Sequence, residues 1–587
     1  AASRRFYRGI YPRRQLGEVS VDLDLGSGWS TAFGGMVFHS KGDVQTPGWN
    51  RLTQDLIDNR NYITGRNTAL VDINRDGRLQ PTEISPGGFY PFTTSLYSAY
   101  FGFPPAPDPR FVLNTGVGVT KLSPRTVFTS SADFSRSTTY TLYFDLVKDL
   151  GGGADVKLQQ CYDRLSNERF VSYGFPADYR AWTAETRLTL TLPATFADGR
   201  VTVRNLIGAS NRYYKGRKQE TFNSGLISLD RRDLAFGPTP TDIFDSPFDD
   251  TPGLDWETDV RSRWNDAGVF LTSDIVIAER LNLILGGRFD HYWATSRDSG
   301  IFVFGPPGFK TGLSDKKDKW TYSVSATYKL PGGFLPYVTY ARSAALEIEQ
   351  AGDISPARIL GGFLSNSTLA EAGLKFQLLD NTLIGAIDVY RQKRTQLGGL
   401  NSVVQPTVGK GFEYEFRYLA TDNLSFTLAG SFQRTKIIGP DQSVYYLPVS
   451  AVGVTPANGF GGAYLTFDFS AFGGQPGNYN NSLVPHAVAS LFGTYTSDEQ
   501  AWGRWGATTG VTYASKTSGI TPAAVVYPSY AVANLSLFYE RGPYAITANV
   551  DNLFDKLYFT PDQGVIADLG ALPGRGREWR VTLKRKF

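Results

Sequence analysis

The residue spacing with the clearest chemical meaning in this chain lies at 71–84, VDINRDGRLQPTEI. Asp72, Asn74, Asp76, Arg78, Gln80 and Glu83 fall at positions 1, 3, 5, 7, 9 and 12 of an EF-hand-type loop. Gly77 takes position 6, where the chain must turn sharply, and Leu79 the apolar position 8. Ca2+ is held by about six or seven oxygens at ~2.3–2.6 Å, and this spacing wraps side chains around one centre. Arg78 would contribute only its carbonyl. The pattern predicts a structural Ca2+ ion that stiffens the segment 40–137. The competing reading is an Asp/Asn/Gly-rich turn without metal, favoured by Pro81 and by the lack of flanking helices.

No other spacing points to catalysis. Histidine occurs three times, as His39, His291 and His486, and cysteine once, as Cys161. A Ser-His-Asp or Cys-His arrangement needs its base beside its nucleophile. These histidines fall at a strand end, a loop rim and a strand start, so the chain does not read as an enzyme. A single cysteine also excludes a disulfide framework. Residues 305–312, GPPGFKTG, miss the GxxxxGK[ST] phosphate loop and read as a turn. Residues 245–256, DSPFDDTPGLDW, read as an acidic surface loop and a weaker second cation site. The run RYYKGRK at 212–218 reads as a strand end and loop rim, with contact to lipopolysaccharide phosphates as its alternative. The 59 basic and 55 acidic residues leave a net charge of +4, too balanced for nucleic acid as a partner.

The elements that must position these groups are strands. The 587 residues are 14% aromatic and include 62 glycines, yet no apolar run approaches the ~18 residues of a membrane helix. Residues 577–587, REWRVTLKRKF, place Trp579, Val581, Leu583 and Phe587 on one face and Arg580, Thr582, Lys584 and Lys586 on the other, with Arg585 breaking the apolar row. Apolar-out and polar-in is the pattern of a strand between lipid and a wet lumen. The same alternation predicts hairpins at 16–39, 138–165, 183–213, 267–293, 320–342, 369–392, 411–434, 484–514 and 530–552. Short turns such as Gly26-Ser27-Gly28 and Pro331-Gly332-Gly333 lie inside the hairpins; 40–137, 214–266 and 435–483 are the longest connections between them. Short turns on one side and long loops on the other mark an outer-membrane barrel, and Trp182, Trp320, Trp502, Trp505 and Trp579 fall where an aromatic girdle would lie. The predicted class is all-β, a large antiparallel transmembrane barrel with about nineteen strands in this chain.

Strand direction adds a constraint. The first strand, near 15–26, and the last, 578–587, run the same way, so they cannot pair antiparallel. Three more strands would give the twenty-two of the plugged transporters.

Several segments resemble TonB-dependent outer-membrane receptors. Residues 551–558, DNLFDKLY, with Pro573-Gly574-Arg575 and the terminal strand, resemble the C-terminal region of that family. Residues 268–291, GVFLTSDIVIAERLNLILGGRFDH, resemble its mid-barrel hairpin, and 371–394 and 411–432 the next ones. Residues 47–65, PGWNRLTQDLIDNRNYITG, resemble a loop of some members. The resemblance covers roughly 16–587, with 1–15 similar to part of an extracellular loop.

Members of that family begin with a TonB box and a plug of ~150 residues, a domain-sized unit; neither is found before residue 16. The sole methionine, Met36, means that Ala1 is not a translation start. The resemblance therefore implies a plug-bearing N-terminal segment that is separate or missing, in preference to a self-closing plugless barrel. It implies the outer membrane of a Gram-negative bacterium, with lipid and lipopolysaccharide around the wall and TonB reached through the plug. The implied function is uptake of a scarce or bulky extracellular ligand of unknown identity, this chain supplying wall and ligand-binding loops. A plugless passive pore and a structural scaffold in an outer-membrane assembly are the alternatives.

Overall fold

The computed structural model describes residues 6–42, 44, 48–66, 73–75, 115–127, 129, 133–170, 176–221, 233–236, 248, 256–300, 312–397, 404–438, 442–447, 463–468, 479–480, 483–518, 525–561 and 571–586. The period-two pattern becomes two chemically distinct faces. In Leu313–Tyr328, Lys317, Lys319, Thr321, Ser323 and Ser325 share one face. Trp320, Tyr322, Val324 and Tyr328 share the other and stay exposed, Trp320 at 69%. A wall of uncovered apolar side chains is a liability in water and a fit to lipid.

Nine hairpins supply eighteen long strands: Arg13–Gly26 with Trp29–Lys41, Phe134–Gly151 with Ala154–Phe170, Ala177–Phe196 with Val201–Glu220, Thr258–Ile277 with Leu281–Asp298, Leu313–Tyr328 with Phe334–Leu346, Leu364–Leu378 with Leu383–Leu397, Val404–Thr421 with Leu424–Ile437, Ala487–Thr496 with Arg504–Ala514, and Tyr530–Arg541 with Tyr544–Asp551. Glu578–Arg585 is the nineteenth. All join one antiparallel sheet in chain order; the stub Tyr479–Asn480 extends the line of Ala487–Thr496 along Leu424–Ile437. The expected hairpins all form, although the first strand starts at Arg13, earlier than expected. Turns inside hairpins run from two residues (Ser27-Gly28) to seven (497–503), and the long connections all leave the opposite edge.

Register fixes which face meets lipid. Leu146, Leu158, Leu188, Ala209, Val269, Phe289 and Trp320 are successive cross-strand partners on the apolar face. A slip of one residue would turn that row inward and expose polar side chains to lipid.

The first and last strands each pair with a single neighbour, and among the described residues no ladder joins them. The loops of the long-connection edge nevertheless bring the two ends together. Trp49 and Ala571 bridge through backbone N–H···O bonds of 2.7 and 2.9 Å. The Gln54 side chain donates to the Val526 carbonyl at 3.0 Å and accepts from its N–H at 2.9 Å. The Tyr7 hydroxyl donates to the Pro573 carbonyl. Around these contacts Trp49, Leu52, Leu56, Ile57, Tyr62, Leu122, Tyr527, Phe559 and Ala571 form a buried apolar cluster. The short helix Gln54–Asn59 enters it, capped by Thr53, whose hydroxyl accepts from the Leu56 N–H at 3.0 Å. The segment expected as one long loop, 40–137, thus contains a helix and the paired strands Asn61–Arg66 and Thr115–Lys121. These rim contacts show the sheet curving round until the loops at its two ends touch, so the polar face is the inside of a barrel wall.

Trp49 is fully buried, and its indole N–H donates to the Thr126 carbonyl at 2.7 Å. Trp49→Ala is expected to cost about 3–5 kcal/mol at the rim. Hydrogen exchange should speed up at 525–527 and 559–561 while the wall strands keep their protection. Unchanged exchange at those segments would show that the cluster does not hold the rim.

Candidate functional site

The inner face carries a dense cluster of charge where four neighbouring strands, Ala177–Phe196 to Leu281–Asp298, lie side by side. Period two and register bring Glu185, Arg212 and Asp266 into one cross-strand row, with Arg187, Ser210 and Asp290 one step further along. Glu185 accepts from Arg187 and from Arg212, each at 3.1 Å. Arg288 grips Asp290 through two contacts of 2.8 and 2.5 Å, donates to the Ser210 hydroxyl at 3.0 Å and lies 3.8 Å from Asp266. Its guanidinium also sits 5.5 Å from the centre of the Phe270 ring. That ring fits because residue 208 is glycine: a Cβ there would lie 2.4 Å from the Phe270 Cζ. With Tyr292, these groups line a cleft of about 200 Å3. Three guanidinium groups against three carboxylates offer fixed donors and acceptors of both signs. The arrangement suits recognition of a polar solute or a polar protein surface.

Further toward the long-loop edge, residues 347–363 fold back onto this inner face. Ser355-Pro356 starts the helix Pro356–Gly361; the Ser355 hydroxyl accepts from the Arg358 N–H at 3.4 Å. Gly362 ends it at φ 95, a left-handed conformation that glycine adopts at little cost. Ile354, Ile359 and Phe363 pack on Ala181, Tyr214, Trp264, Tyr292 and Ala294. Tyr214 and Trp264 stack at 5.2 Å with their planes 7° apart, and each donates to the loop backbone, Tyr214 to Ala351 at 3.0 Å and Trp264 to Gly352 at 2.8 Å.

One buried cation anchors the loop. The Lys218 ammonium pairs with Glu349, lies 3.4 Å from Glu220 and 3.5 Å from Asp353. The Ser355 hydroxyl donates to Glu349 at 2.6 Å, and Arg358 lies 3.4 Å from it. Burial alone would raise Glu349, but Lys218, Ser355 and Arg358 outweigh it and hold its carboxyl below the usual range. Asp353 is fully buried, and neither carboxylate oxygen accepts a hydrogen bond among the described residues. Burial pushes its pKa up to about 7, against the pull of Lys218 and with repulsion from Glu349 and Glu220.

The sequence-predicted groups distribute unevenly over this structure. Of the calcium-like set, Asp72, Asp76, Arg78, Gln80 and Glu83 lie outside the described residues; Asn74 is described and exposed, followed by Arg75 at φ 60. Residues 245–247, 249–255 and 305–311 also lie outside them. Among the described residues no three His, Cys, Asp or Glu side chains gather as a metal site. The run at 212–218, expected as a simple rim, divides by period two: Arg212, Tyr214 and Lys218 point inward, Tyr213, Lys215 and Arg217 outward. His291 faces outward, 2.6 Å from Asp318. The inward fold of 347–363 was not read from sequence, although Ser355-Pro356 is a recognisable helix start.

The sign of the Asp353 shift fixes a pH response. A raised carboxyl pKa means that the docked loop binds more protons than the free loop between about pH 4 and 7. Docking is therefore tightest below that window and weakens as pH rises through it. The lowered Glu349 acts the other way, but only below its ordinary value of 4.5. Hydrogen exchange at 347–363, corrected for intrinsic rates, should show loosening from about pH 5 to 8. Asp353→Asn should flatten that dependence, and a pH response unchanged in Asp353→Asn would remove Asp353 as its source.

Comparison with known proteins agrees with this geometry. A family described as "TonB dependent receptor-like, beta-barrel" matches residues 74–553. A comparison with curated proteins finds no sequence match. The fold is similar to that of the siderophore receptor PiuA from Acinetobacter baumannii, with TM-score 0.68 and 16% identity over 99% of this chain and 75% of that one. It is also similar to the closed form of the ferric-catecholate import receptor Fiu from E. coli K12 (TM-score 0.63, 14% identity, 99% and 76% covered). The ferric yersiniabactin uptake receptor FyuA from Yersinia pestis gives TM-score 0.59 and 13% identity, with 98% and 71% covered. With its nineteen-strand wall and a match over most of its length, this chain belongs to the TonB-dependent receptor β-barrel family.

Proposed function

We propose that this chain forms the wall and the ligand-binding loops of a TonB-coupled path for a scarce or bulky solute. The family and its structural relatives are outer-membrane transport proteins of Gram-negative bacteria. One observation carries the reading to this chain: a structured loop, 347–363, folded onto an inner wall of fixed charges. A wide passive pore gains nothing from burying Lys218 under three carboxylates. A receptor does, because such a loop narrows the lumen and presents a shaped surface to ligand or plug.

The energy-coupling plug belongs in this reading to an N-terminal segment that also supplies wall strands. The edges Arg13–Gly26 and Glu578–Arg585 run the same way, so antiparallel closure takes an odd number of further strands. Three would make twenty-two, the number of the plugged transporters.

Ferric chelates are natural first probes, since solved receptors of this fold are described as ferric-catecholate and ferric-yersiniabactin receptors. Cobalamin, glycans, peptides and aromatic compounds complete the panel. Uptake of one of these is expected to vanish on loss of TonB. It should also fall about tenfold in Arg288→Ala, which removes several charge-assisted hydrogen bonds. Flux that survives loss of TonB would select the passive pore; copurifying partners with no uptake defect would select the scaffold.

The loop at 72–83 is proposed to hold a structural Ca2+ through Asp72, Asn74, Asp76, the Arg78 carbonyl, Gln80 and Glu83. Its support is the spacing of oxygen-bearing residues around Gly77. Calorimetric titration should show one site that Asp72→Asn weakens. No heat at millimolar calcium would remove the proposal.

A further inference from the structure

Two buried groups under the inward loop are placed as reactants as well as partners. Asp353 is fully buried, and among the described residues neither of its carboxyl oxygens accepts a hydrogen bond. A buried polar group in that condition is rare and calls for a reason. The Lys218 nitrogen lies 3.5 Å from its Oδ2, and Lys218 itself is only 5% exposed. The two other carboxyls around this nitrogen are supplied with donors. Glu349 takes the Ser355 hydroxyl and faces Arg358. Glu220 takes the Tyr179 hydroxyl and lies 4.0 Å from Arg169. Hydrogen-bond donors favour the charged form of a carboxyl, and a carboxylate resists attack by an amine. Asp353 lacks them, and burial favours its uncharged acid, the form that an amine can attack.

The backbone on both sides of Asp353 is pinned. The Ala351 and Gly352 carbonyls accept from the Tyr214 hydroxyl and the Trp264 indole, and the Ile354 N–H donates to the Ser262 hydroxyl at 3.1 Å. Gly352 takes φ 83, and a Cβ there would lie 3.0 Å from the Tyr214 ring. The loop therefore approaches the wall as closely as a residue without a side chain permits. Burial of both groups keeps bulk water from the pair. A well-oriented intramolecular pair reacts as though its partner were present at roughly 10⁵ M or more.

We propose that Lys218 and Asp353 condense to an isopeptide bond that fixes the loop 347–363 to the inner wall, with Glu349 as the general base. Glu349 already pairs with the Lys218 ammonium. It takes one proton from it, which frees the nitrogen lone pair for nucleophilic attack. The lone pair attacks Asp353 Cγ and forms the C–N bond. The Cγ–OH bond then breaks, and the hydroxyl leaves as water with a second proton from the nitrogen. An ammonium, an acid and a carboxylate thus become an amide, a water and a protonated Glu349, and the step balances without a further reactant. The product holds one buried cation and one buried anion fewer, which removes the cost of keeping them out of water. The bond is independent of what crosses the lumen. In linked molecules Asp353 no longer titrates, so the pH response of docking belongs to unlinked ones.

The test is mass spectrometry of the full chain, purified folded in mild detergent and then denatured. The linked chain is expected to be lighter than its sequence mass by one water. Trypsin should release from it a branched peptide that joins 218–231 to 343–358. Lys218→Arg keeps the charge without the amine, and Asp353→Ala removes the acceptor; each should restore the full mass. Glu349→Gln leaves both reactants in place, and linkage on refolding from urea should slow about a hundredfold, as loss of a general base does. If Lys218→Arg or Asp353→Ala does not fold, the branched peptide of the unaltered chain decides alone. Full sequence mass in the folded chain, loss of water without the branched peptide, or an unchanged linkage rate in Glu349→Gln would each overturn the proposal.

Discussion

Lipid offers the backbone no hydrogen-bond partner, so each N–H and C=O within the bilayer must be answered by a neighbouring strand. That requirement accounts for the single continuous sheet and for the long ladders, such as the twenty-residue strands Ala177–Phe196 and Val201–Glu220. The same ladders decide the faces. Once Leu188 is paired with Ala209, Thr189 and Gly208 must turn to the lumen. Charge, aromatic and glycine placement all follow from one register. The rim cluster around Trp49 works on a different principle, since it lies in loops and buries apolar surface as a soluble core would.

The inward loop shows how a charged group is made to hold position. Removing Lys218 and its carboxylate partners from water costs several kcal/mol per ion, and mutual attraction repays this only with good geometry. Glu349 has that geometry, with Lys218, Ser355 and Arg358 all directed at it. Asp353 does not, and its raised pKa records the unpaid part. Apolar packing on the stacked Tyr214 and Trp264 holds the loop in place around this pair. The loop is thus a docked element with one weak point, and that weak point titrates near neutral pH.

The run RYYKGRK gathers these themes in seven residues. Alternate members serve opposite sides of one wall: Arg212, Tyr214 and Lys218 build the lumen, while Tyr213, Lys215 and Arg217 face outward beside Trp182 and Asp259. A charge count over the run would miss this, because its meaning depends on parity and on the partners that register assigns.

Much of the architecture was legible in the residues. The alternation in 577–587 and the short turns gave the strands, their number and their direction, because a side-chain period of two follows from strand geometry alone. Family resemblance was legible for the same reason, being carried by local segments such as DNLFDKLY. Even the opposed faces of Leu313–Tyr328 could be written down without coordinates. Tertiary structure alone decided what lies beside what. Glu185, Arg212, Asp266 and Arg288 span about a hundred positions of sequence and meet only through cross-strand register. Lys218 meets Glu349 and Asp353 only because the loop that leaves the fourth strand further along folds back onto the inner wall. Trp49 meets Ala571 only because the whole sheet bends round. Periodicity is a property of neighbours along the chain, whereas a site is made by contacts between distant segments, and no local pattern encodes those distances.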